Sequence, residues 1–266
     1  MCLIIWKQIN HYISDQRLAE AHAANPDGCG IMWAADNQIH WLKGIWDFEL
    51  FISLFNKCYQ EYGDRNYIIH FRTASASDIG KDFCHPFEVN KNLAFMQNGN
   101  LFEFSDYFPG RKQDGKSDVQ RFNEEILKRL PADFLMRNKS RQALERYNAE
   151  CFSKFIFLDN HDNITIINES AGEWINGIWY SNGGIDNYIG YGYSGAYYYH
   201  PGCRMGFLQY EIRHKGGLMN VEMLGDNKKK WVQCESCQGW FRRENLIQNN
   251  CSGCRTYKEL CQETIK

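Results

Sequence analysis

The sequence has no apolar run that approaches the ~20 residues needed to cross a bilayer. It also lacks an excess of charge of either sign, with 30 Lys and Arg residues against 32 Asp and Glu residues. The N-terminal stretch CLIIW is short and has no basic residue before it, so it lacks the features of a secretory signal. These absences predict a cytoplasmic protein without a membrane partner. They also leave no global electrostatic argument for nucleic acid binding.

Cysteine, in contrast, is abundant, and its pattern favours a metal site over a disulfide framework. The chain of 266 residues has 11 cysteines, an odd number in a protein that is too long to need disulfides for stability. Two C-x-x-C pairs lie 13 residues apart near the C-terminus, which is the spacing of a zinc ribbon. We therefore predict one structural Zn²⁺ held by four thiolates, from Cys234, Cys237, Cys251 and Cys254. The alternative, two redox pairs, is less favoured because no thioredoxin-like βαβ pattern surrounds them.

The periodicity of the remaining chain predicts two antiparallel sheets with helices outside them. Strands are predicted in adjacent groups, and helices fall between the groups, which is unlike the strict alternation of a doubly wound parallel sheet. The predicted strands are residues 2–6, 31–35, 38–43, 66–72, 92–98, 154–159, 163–168 and 177–182. The predicted helices are residues 14–24, 47–62, 117–130 and 140–150.

A cysteine directly after the initiator methionine raises a chemical question. Cys2 has a small side chain, so removal of Met1 is expected, and the new N-terminus then carries an amine and a thiol on one residue. Because a thiol is mostly protonated at neutral pH, it needs a base to act as a nucleophile. A free α-amine with a pKa near ~7.7–8.0 can supply that base. The alternative is that Cys2 is an ordinary buried residue of the first strand.

Three further motifs carry groups that suit an amino acid amide as substrate. HFRTAS, at residues 70–75, ends a strand with Arg72, whose fork can hold a carboxylate, although a surface ion pair is the alternative. QNGNL, at residues 97–101, offers the amide of Asn98 and the N–H of Gly99 as an oxyanion hole, although Asn-Gly is also a strong hairpin signal. Asp118 can receive an ammonium group, act as a helix N-cap, or do both.

Taken together, these motifs resemble the class II glutamine amidotransferases, a family of N-terminal-nucleophile hydrolases. The matched segments, in chain order, are Cys2, PDGCG at residues 26–30, HFRTAS at 70–75, HPF at 85–87, Asn98-Gly99, Ser117-Asp118 and GIWYSN at 177–182. The resemblance implies that Cys2 is the nucleophile, that Asn98 and Gly99 bind the oxyanion, and that Arg72, Ser75 and Asp118 bind L-glutamine. It also implies an α+β fold, a four-layer α/β/β/α sandwich, here followed by the small zinc module.

The resemblance divides the chain into three parts. Residues 2–183 form the expected amidotransferase-like domain, residues 184–226 a Tyr- and Gly-rich extension or linker, and residues 227–266 the zinc-ribbon-like module. Many relatives carry a synthase domain that consumes the ammonia, and the stretch after residue 183 is too short for one. The resemblance therefore implies an unknown ammonia acceptor, together with a separate synthetase or transferase subunit.

Two other functions stay open at this point. One is an N-terminal-cysteine amidohydrolase that acts on a different amide. The other is a non-catalytic binding protein that uses the ribbon for a protein partner or for nucleic acid, where Lys228–Lys230, Arg242 and Arg243 supply basic groups.

Overall fold

The computed structural model describes residues 2–74, 80–106, 108 and 114–182, and the backbone of two short strands at residues 231–233 and 240–242. The predicted extension, residues 184–226, lies outside the described residues, and so does most of the predicted zinc module.

Residues 2–182 alternate between groups of strands and helices, as the periodicity predicts. The strands are β1 (Leu3–Lys7), β2 (Cys29–Ala35), β3 (Gln38–Ile45), β4 (Tyr67–Phe71), β5 (Phe87–Asn90), β6 (Leu93–Asn98), β7 (Lys154–Asp159), β8 (Ile164–Ile167), β9 (Glu173–Ile175) and β10 (Ile178–Tyr180). The helices are α1 (Asp15–Ala24), α2 (Phe48–Tyr62), α3 (Asp118–Glu125) and α4 (Asn138–Cys151). Farther along the chain, β11 (Trp231–Gln233) pairs antiparallel with β12 (Trp240–Arg242).

The ten strands of residues 2–182 form two antiparallel sheets. One sheet has six strands in the order β3-β2-β4-β1-β10-β9, and the other has four in the order β5-β6-β7-β8. Every strand pair in both sheets is antiparallel. The prediction of a mixed α/β fold with antiparallel sheets is therefore confirmed.

Three hydrophobic clusters show how these elements pack. The first joins one face of the six-stranded sheet to α1 and α2, through residues such as Ile5 and Phe51. The second joins one face of the four-stranded sheet to α3 and α4, through residues such as Phe155 and Phe122. A third cluster lies between the opposite faces of the two sheets, and Met96 belongs to it. Because side chains alternate between faces along a strand, neighbouring residues of β1 and β7 belong to different clusters.

The helix starts follow their capping residues. Ser14, Asp47 and Ser117 each accept a hydrogen bond from a backbone N–H in the first turn of α1, α2 and α3, respectively. The prediction of one helix over residues 117–130 is too long, because α3 ends at Glu125 and a separate 3₁₀ turn follows at Leu127–Arg129. An α-helix has about 3.6 residues per turn and a 3₁₀-helix about 3.0. Over one or two turns, the spacing of apolar residues therefore does not separate the two helix types.

Within the part of the chain that the structure describes, no helix is long and apolar enough to cross a membrane.

Candidate functional site

Cys2 lies at the start of a central strand. It immediately precedes β1, which pairs with β4 on one side and with β10 on the other. The Cys2 Sγ atom lies 3.4 Å from the backbone nitrogen of Thr73 and 3.5 Å from its carbonyl oxygen. The Thr73 N–H therefore points at the sulfur, where it can stabilise a thiolate.

Arg72 directly follows the neighbouring strand β4, and two backbone hydrogen bonds hold it against a turn. Its backbone N–H donates to the carbonyl of Gly28, and its carbonyl accepts from the N–H of Asp27. Its guanidinium is only 4% exposed and donates to the Asp27 carbonyl at 3.4 Å. Gly28 has φ of +115°, and a Cβ there would lie 2.7 Å from Sγ of Cys84. This glycine therefore lets the turn that bonds to Arg72 pass close to Cys84.

Asn98 and Gly99 come at the end of β6, on the other sheet. β6 pairs with β5 and β7, and a 3₁₀ turn begins at Phe102, so Asn98 and Gly99 do not form the two-residue hairpin of the alternative interpretation. Gly99 has φ of +138°, and a Cβ would lie 2.6 Å from Cα of Ser153. Only glycine fits this close backbone approach.

A hydrogen-bond network connects Asn98 to Cys2 and the first residues of β1. Nδ2 of Asn98 donates to Oγ of Ser181 at 2.7 Å and to Oδ1 of Asn182 at 3.3 Å. Oγ of Ser181 also accepts from the N–H of Ile4 at 2.9 Å and donates to Oδ1 of Asn182 at 3.0 Å. Nδ2 of Asn182 donates to the carbonyl of Cys2 at 3.2 Å. The amide of Asn98 is thus linked to the backbone of Cys2 through one side chain.

Asp118 occupies the first turn of α3, directly after the N-cap Ser117, so the alternative of Asp118 as N-cap is wrong. Its two carboxylate oxygens accept from the N–H groups of Leu101 and Val119 at 2.8 and 2.9 Å. Burial raises the pKa of the Asp118 carboxyl, and the hydrogen bond from Leu101 opposes that shift. The contact with Leu101 ties the carboxylate to the loop that follows Asn98 and Gly99.

Two of the predicted site residues, Arg72 and Asp118, are close enough to Cys2 to affect the pKa of its thiol. Burial raises the pKa of the Cys2 thiol, and the Asp118 charge raises it further. The Thr73 N–H and the Arg72 charge lower it, but burial has the larger effect. Because the net shift is upward, the resting group at neutral pH is a thiol, and its reaction as a nucleophile needs a base.

Two buried histidines, His70 and His85, pack against each other next to this site. The rings of His70 and His85 are 4.1 Å apart, and both residues are buried. His70 Nε2 lies 3.2 Å from the carbonyl of Gln97, the residue before Asn98. Within the described part of the chain, His70 Nδ1 and both ring nitrogens of His85 have no hydrogen-bond partner. Burial lowers the pKa of His70 to about 3 and that of His85 well below its ordinary value, so both rings are neutral.

This pair predicts that the protein loses stability in acid. An unfolded imidazole titrates near ~6.5, so between that pH and about 3 the unfolded chain binds more protons than the folded one. The free energy of unfolding is therefore intact above pH ~6.5 and falls as the pH drops below it, by about 1 kcal/mol per pH unit for each histidine. Urea unfolding between pH 7.5 and 5 measures this slope.

The matched variants for that measurement are His85→Leu and His161→Leu. We expect His85→Leu to reduce the change in unfolding free energy per pH unit by the contribution of one histidine, because it removes one titrating group from the unfolded state. The control, His161→Leu, replaces an exposed histidine. Equal slopes in the two variants would show that His85 is not the source of the effect.

The structure brings Cys2, Arg72, Asn98, Gly99 and Asp118 into one region through the contacts given above. Ser75 and the four zinc-ligand candidates Cys234, Cys237, Cys251 and Cys254 lie outside the described residues. Within residues 2–74, 80–106, 108 and 114–182, no group of three or more His, Cys, Asp or Glu side chains is placed to hold a metal ion.

Sequence reasoning gave no role to Thr73, Ser181 or Asn182. Thr73 contacts Cys2 across 71 positions and Asn182 contacts it across 180, and such contacts have no local signal. The one available clue was the GIWYSN match at residues 177–182, which ends with Ser181 and Asn182.

Two solved structures are similar to this chain. One is a glutamine phosphoribosylpyrophosphate amidotransferase from B. subtilis in complex with ADP and GMP. It has a TM-score of 0.40 and 13% identity, over 67% of this chain and 40% of that chain, so this chain spans less than half of its length. The other is a glutamine aminotransferase class-II domain protein from Silicibacter pomeroyi. It has a TM-score of 0.32 and 14% identity, over 60% of this chain and 73% of that chain. No family model and no curated protein matches the sequence.

Proposed function

We propose that this chain is a glutamine amidotransferase of the class II kind, in which Cys2 is an N-terminal nucleophile. The observation that carries the proposal is the position of the Cys2 sulfur. It lies 3.4 Å from the backbone nitrogen of Thr73, and the charges of Arg72 and Asp118 are near enough to affect the pKa of the thiol. The two packed sheets with helical clusters on their outer faces support a four-layer α/β/β/α N-terminal-nucleophile sandwich.

The first half of the reaction forms a thioester. After removal of Met1, the α-amine of Cys2 takes the proton of its own thiol, and the thiolate attacks the side-chain amide carbon of glutamine. Negative charge develops on the amide oxygen, where Asn98 and Gly99 donate hydrogen bonds. The intermediate then collapses. The C–N bond breaks, the protonated amine returns its proton to the leaving nitrogen, and ammonia departs from a γ-glutamyl thioester.

The second half releases glutamate. The free amine, now neutral again, takes a proton from a water molecule as that water attacks the thioester carbonyl. The same two donors stabilise the second tetrahedral intermediate, and its collapse breaks the C–S bond. The Cys2 sulfur regains a proton, and glutamate leaves.

Substrate recognition is assigned to groups that match the two charges of an amino acid. Arg72 binds the α-carboxylate through its planar fork, and Asp118 binds the α-ammonium. Ser75 follows Arg72 closely in the sequence, and we assign it to the same glutamine site on the resemblance alone. Recognition of both charges distinguishes a glutamine-specific enzyme from an amidohydrolase that acts on a simpler amide.

The direct test is incubation of the purified full-length protein with glutamine. We expect glutamate and ammonia in equal amounts, and no release from asparagine or from an amide that lacks the α-carboxylate. Hydrolysis of those other amides at equal rates would favour the general amidohydrolase. No hydrolysis by protein that has lost Met1 would favour the non-catalytic binding protein.

The ammonia must reach an acceptor, which we assign to a separate synthetase or transferase subunit. Residues 184–226 and the C-terminal module are the parts of the chain left to contact that subunit. Comparing ammonia release with and without fractions of the host lysate identifies the fraction that consumes it.

We also propose that the C-terminal module, residues 227–266, binds one structural zinc ion. Its support is the donor set of four thiolates and the pairing of β11 with β12, which flank Cys234 and Cys237 in the sequence. Four thiolates close the coordination sphere of zinc and leave no position for a reacting water, so this zinc takes no part in glutamine hydrolysis.

Elemental analysis tests the zinc assignment. We expect one zinc per chain in the wild type and in Cys261→Ser, which lies outside the two pairs, and none in Cys251→Ser. All three proteins should hydrolyse glutamine at similar rates. A wild type without zinc, or a zinc-free Cys251→Ser variant whose folded N-terminal domain no longer hydrolyses glutamine, would refute this division of roles.

A further inference from the structure

We propose that Asn182 is a positioning residue, which holds one amide hydrogen of Asn98 in the resting enzyme and releases it to the oxyanion of the reaction. This inference rests on the proposed function, because it deepens the role of Asn98 as an oxyanion donor. It assigns a role in catalysis to a residue whose hydrogen bond to Cys2 is made to the backbone carbonyl.

The orientation of Asn182 is fixed by its two neighbours. Its Nδ2 donates to the carbonyl of Cys2, which can only accept, so its Oδ1 must face Asn98 and Ser181. Since Oδ1 can only accept, Asn98 must present Nδ2 and not its own oxygen. The geometry therefore determines which end of each amide faces the other.

A count of hydrogen atoms then shows what Asn98 has left to give. Its Nδ2 carries two hydrogens, one directed to Ser181 Oγ at 2.7 Å and one to Asn182 Oδ1 at 3.3 Å. Both are engaged in the resting state. To stabilise an oxyanion, Asn98 must give up one of these bonds, and the longer one, to Asn182, is the weaker.

The exchange leaves no buried acceptor without a donor. When the hydrogen of Asn98 turns to the oxyanion, Asn182 Oδ1 still accepts from Ser181 Oγ at 3.0 Å. Asn182 Nδ2 still holds the Cys2 carbonyl, so the nucleophile stays in place. A neutral acceptor is thereby replaced by a charged one, and hydrogen bonds to charged acceptors are roughly twice as strong.

Asn182→Asp tests this mechanism because it strengthens the acceptor that faces Asn98 and removes the donor that faces the Cys2 carbonyl. A carboxylate at this position holds the Asn98 hydrogen more tightly and cannot donate to the Cys2 carbonyl. We expect kcat for glutamine to fall by about 10-fold or more, with KM within about 2-fold of wild type, because the loss falls on the oxyanion. The matched control is Asn90→Asp, which keeps its acceptor bond from the Asn92 N–H and lies away from the site.

A double-mutant cycle separates positioning from a general structural role. Asn98→Ala alone should lower kcat by ~10²–10³. If Asn182 acts through Asn98, Asn182→Asp causes a smaller fold loss in the Asn98→Ala background than it does alone, and what remains reflects the lost bond to the Cys2 carbonyl. The same fold loss in both backgrounds would overturn the proposal.

A second readout does not depend on glutamine. The side-chain amide protons of Asn98 can be followed by ¹⁵N NMR, and we expect their signals to move in Asn182→Ala and not in Asn90→Asp. If the wild type did not hydrolyse glutamine, the proposed function would fail while this measurement still decided whether the two amides are linked. Unchanged Asn98 signals in Asn182→Ala would overturn the link itself.

Discussion

Cys2→Ser is expected to reduce glutamine hydrolysis to below about a thousandth of the wild-type rate, because losing the nucleophile removes the covalent route. The thiol is half-buried and its pKa is raised, so even the cysteine depends on its own amine as a base. A serine hydroxyl is far less acidic, and the same amine cannot activate it to a comparable extent. Steady-state release of ammonia from glutamine measures the loss.

The control for this variant is Cys151→Ser, which replaces a partly exposed cysteine at the end of α4. We expect it to keep wild-type turnover. Intact mass of both proteins should show that Met1 is absent, since a retained Met1 blocks the amine. Undiminished hydrolysis by Cys2→Ser, or full activity in protein that keeps Met1, would exclude the N-terminal cysteine as nucleophile and base.

Arg72→Lys should lower kcat/KM for glutamine by ~10² or more. Lysine keeps the positive charge but loses the planar fork that donates two parallel hydrogen bonds to a carboxylate. Because Arg72 is buried, bulk water cannot bridge a gap between a lysine at this position and the carboxylate of the substrate. Kinetics over a range of glutamine concentrations give the value, and Arg129→Lys, an exposed arginine, is the matched control.

A substrate change isolates the carboxylate contact. With an amide that lacks the α-carboxylate, the wild type and Arg72→Lys should be equally slow, because neither has a carboxylate to bind. Arg72 also donates to the Asp27 carbonyl, so thermal unfolding must show that the turn survives the substitution. If Arg72→Lys lost the same factor with both substrates, its role would be structural.

The sequence predicted the mixed α/β composition and the antiparallel sheets of this fold better than it predicted the individual elements. Long apolar patterns, such as that of β7, determine which segments become strands, and their grouping predicts antiparallel sheets. β5 was missed because it starts directly after the His85-Pro86 turn and has only four residues. β9 was missed because it has three residues and only Ile175 is even partly buried, so it shows no apolar run.

In the candidate site too, the sequence indicated residues that belong to local motifs and missed residues that depend on distant contacts. Cys2, Arg72, Asn98 and Asp118 could be nominated from the sequence because each belongs to a short motif whose chemistry can be interpreted locally. The hairpin alternative for Asn98-Gly99 could not be excluded from the sequence, since the pairing of β6 with β7 involves residues more than fifty positions away. For the same reason, the sequence did not indicate Asn182. Its proposed role depends on hydrogen bonds to Asn98 and Cys2, which are distant in the sequence and meet only in the folded protein.

The most direct test of the central claim is to trap the covalent intermediate. Protein mixed with isotopically labelled glutamine is quenched in acid within one turnover, digested, and analysed by mass spectrometry. We expect one labelled glutamyl group per chain, on the peptide that begins with Cys2 and lacks Met1, and no label in Cys2→Ser. Steady hydrolysis of glutamine with no labelled peptide, or with the label on another residue, would contradict the account.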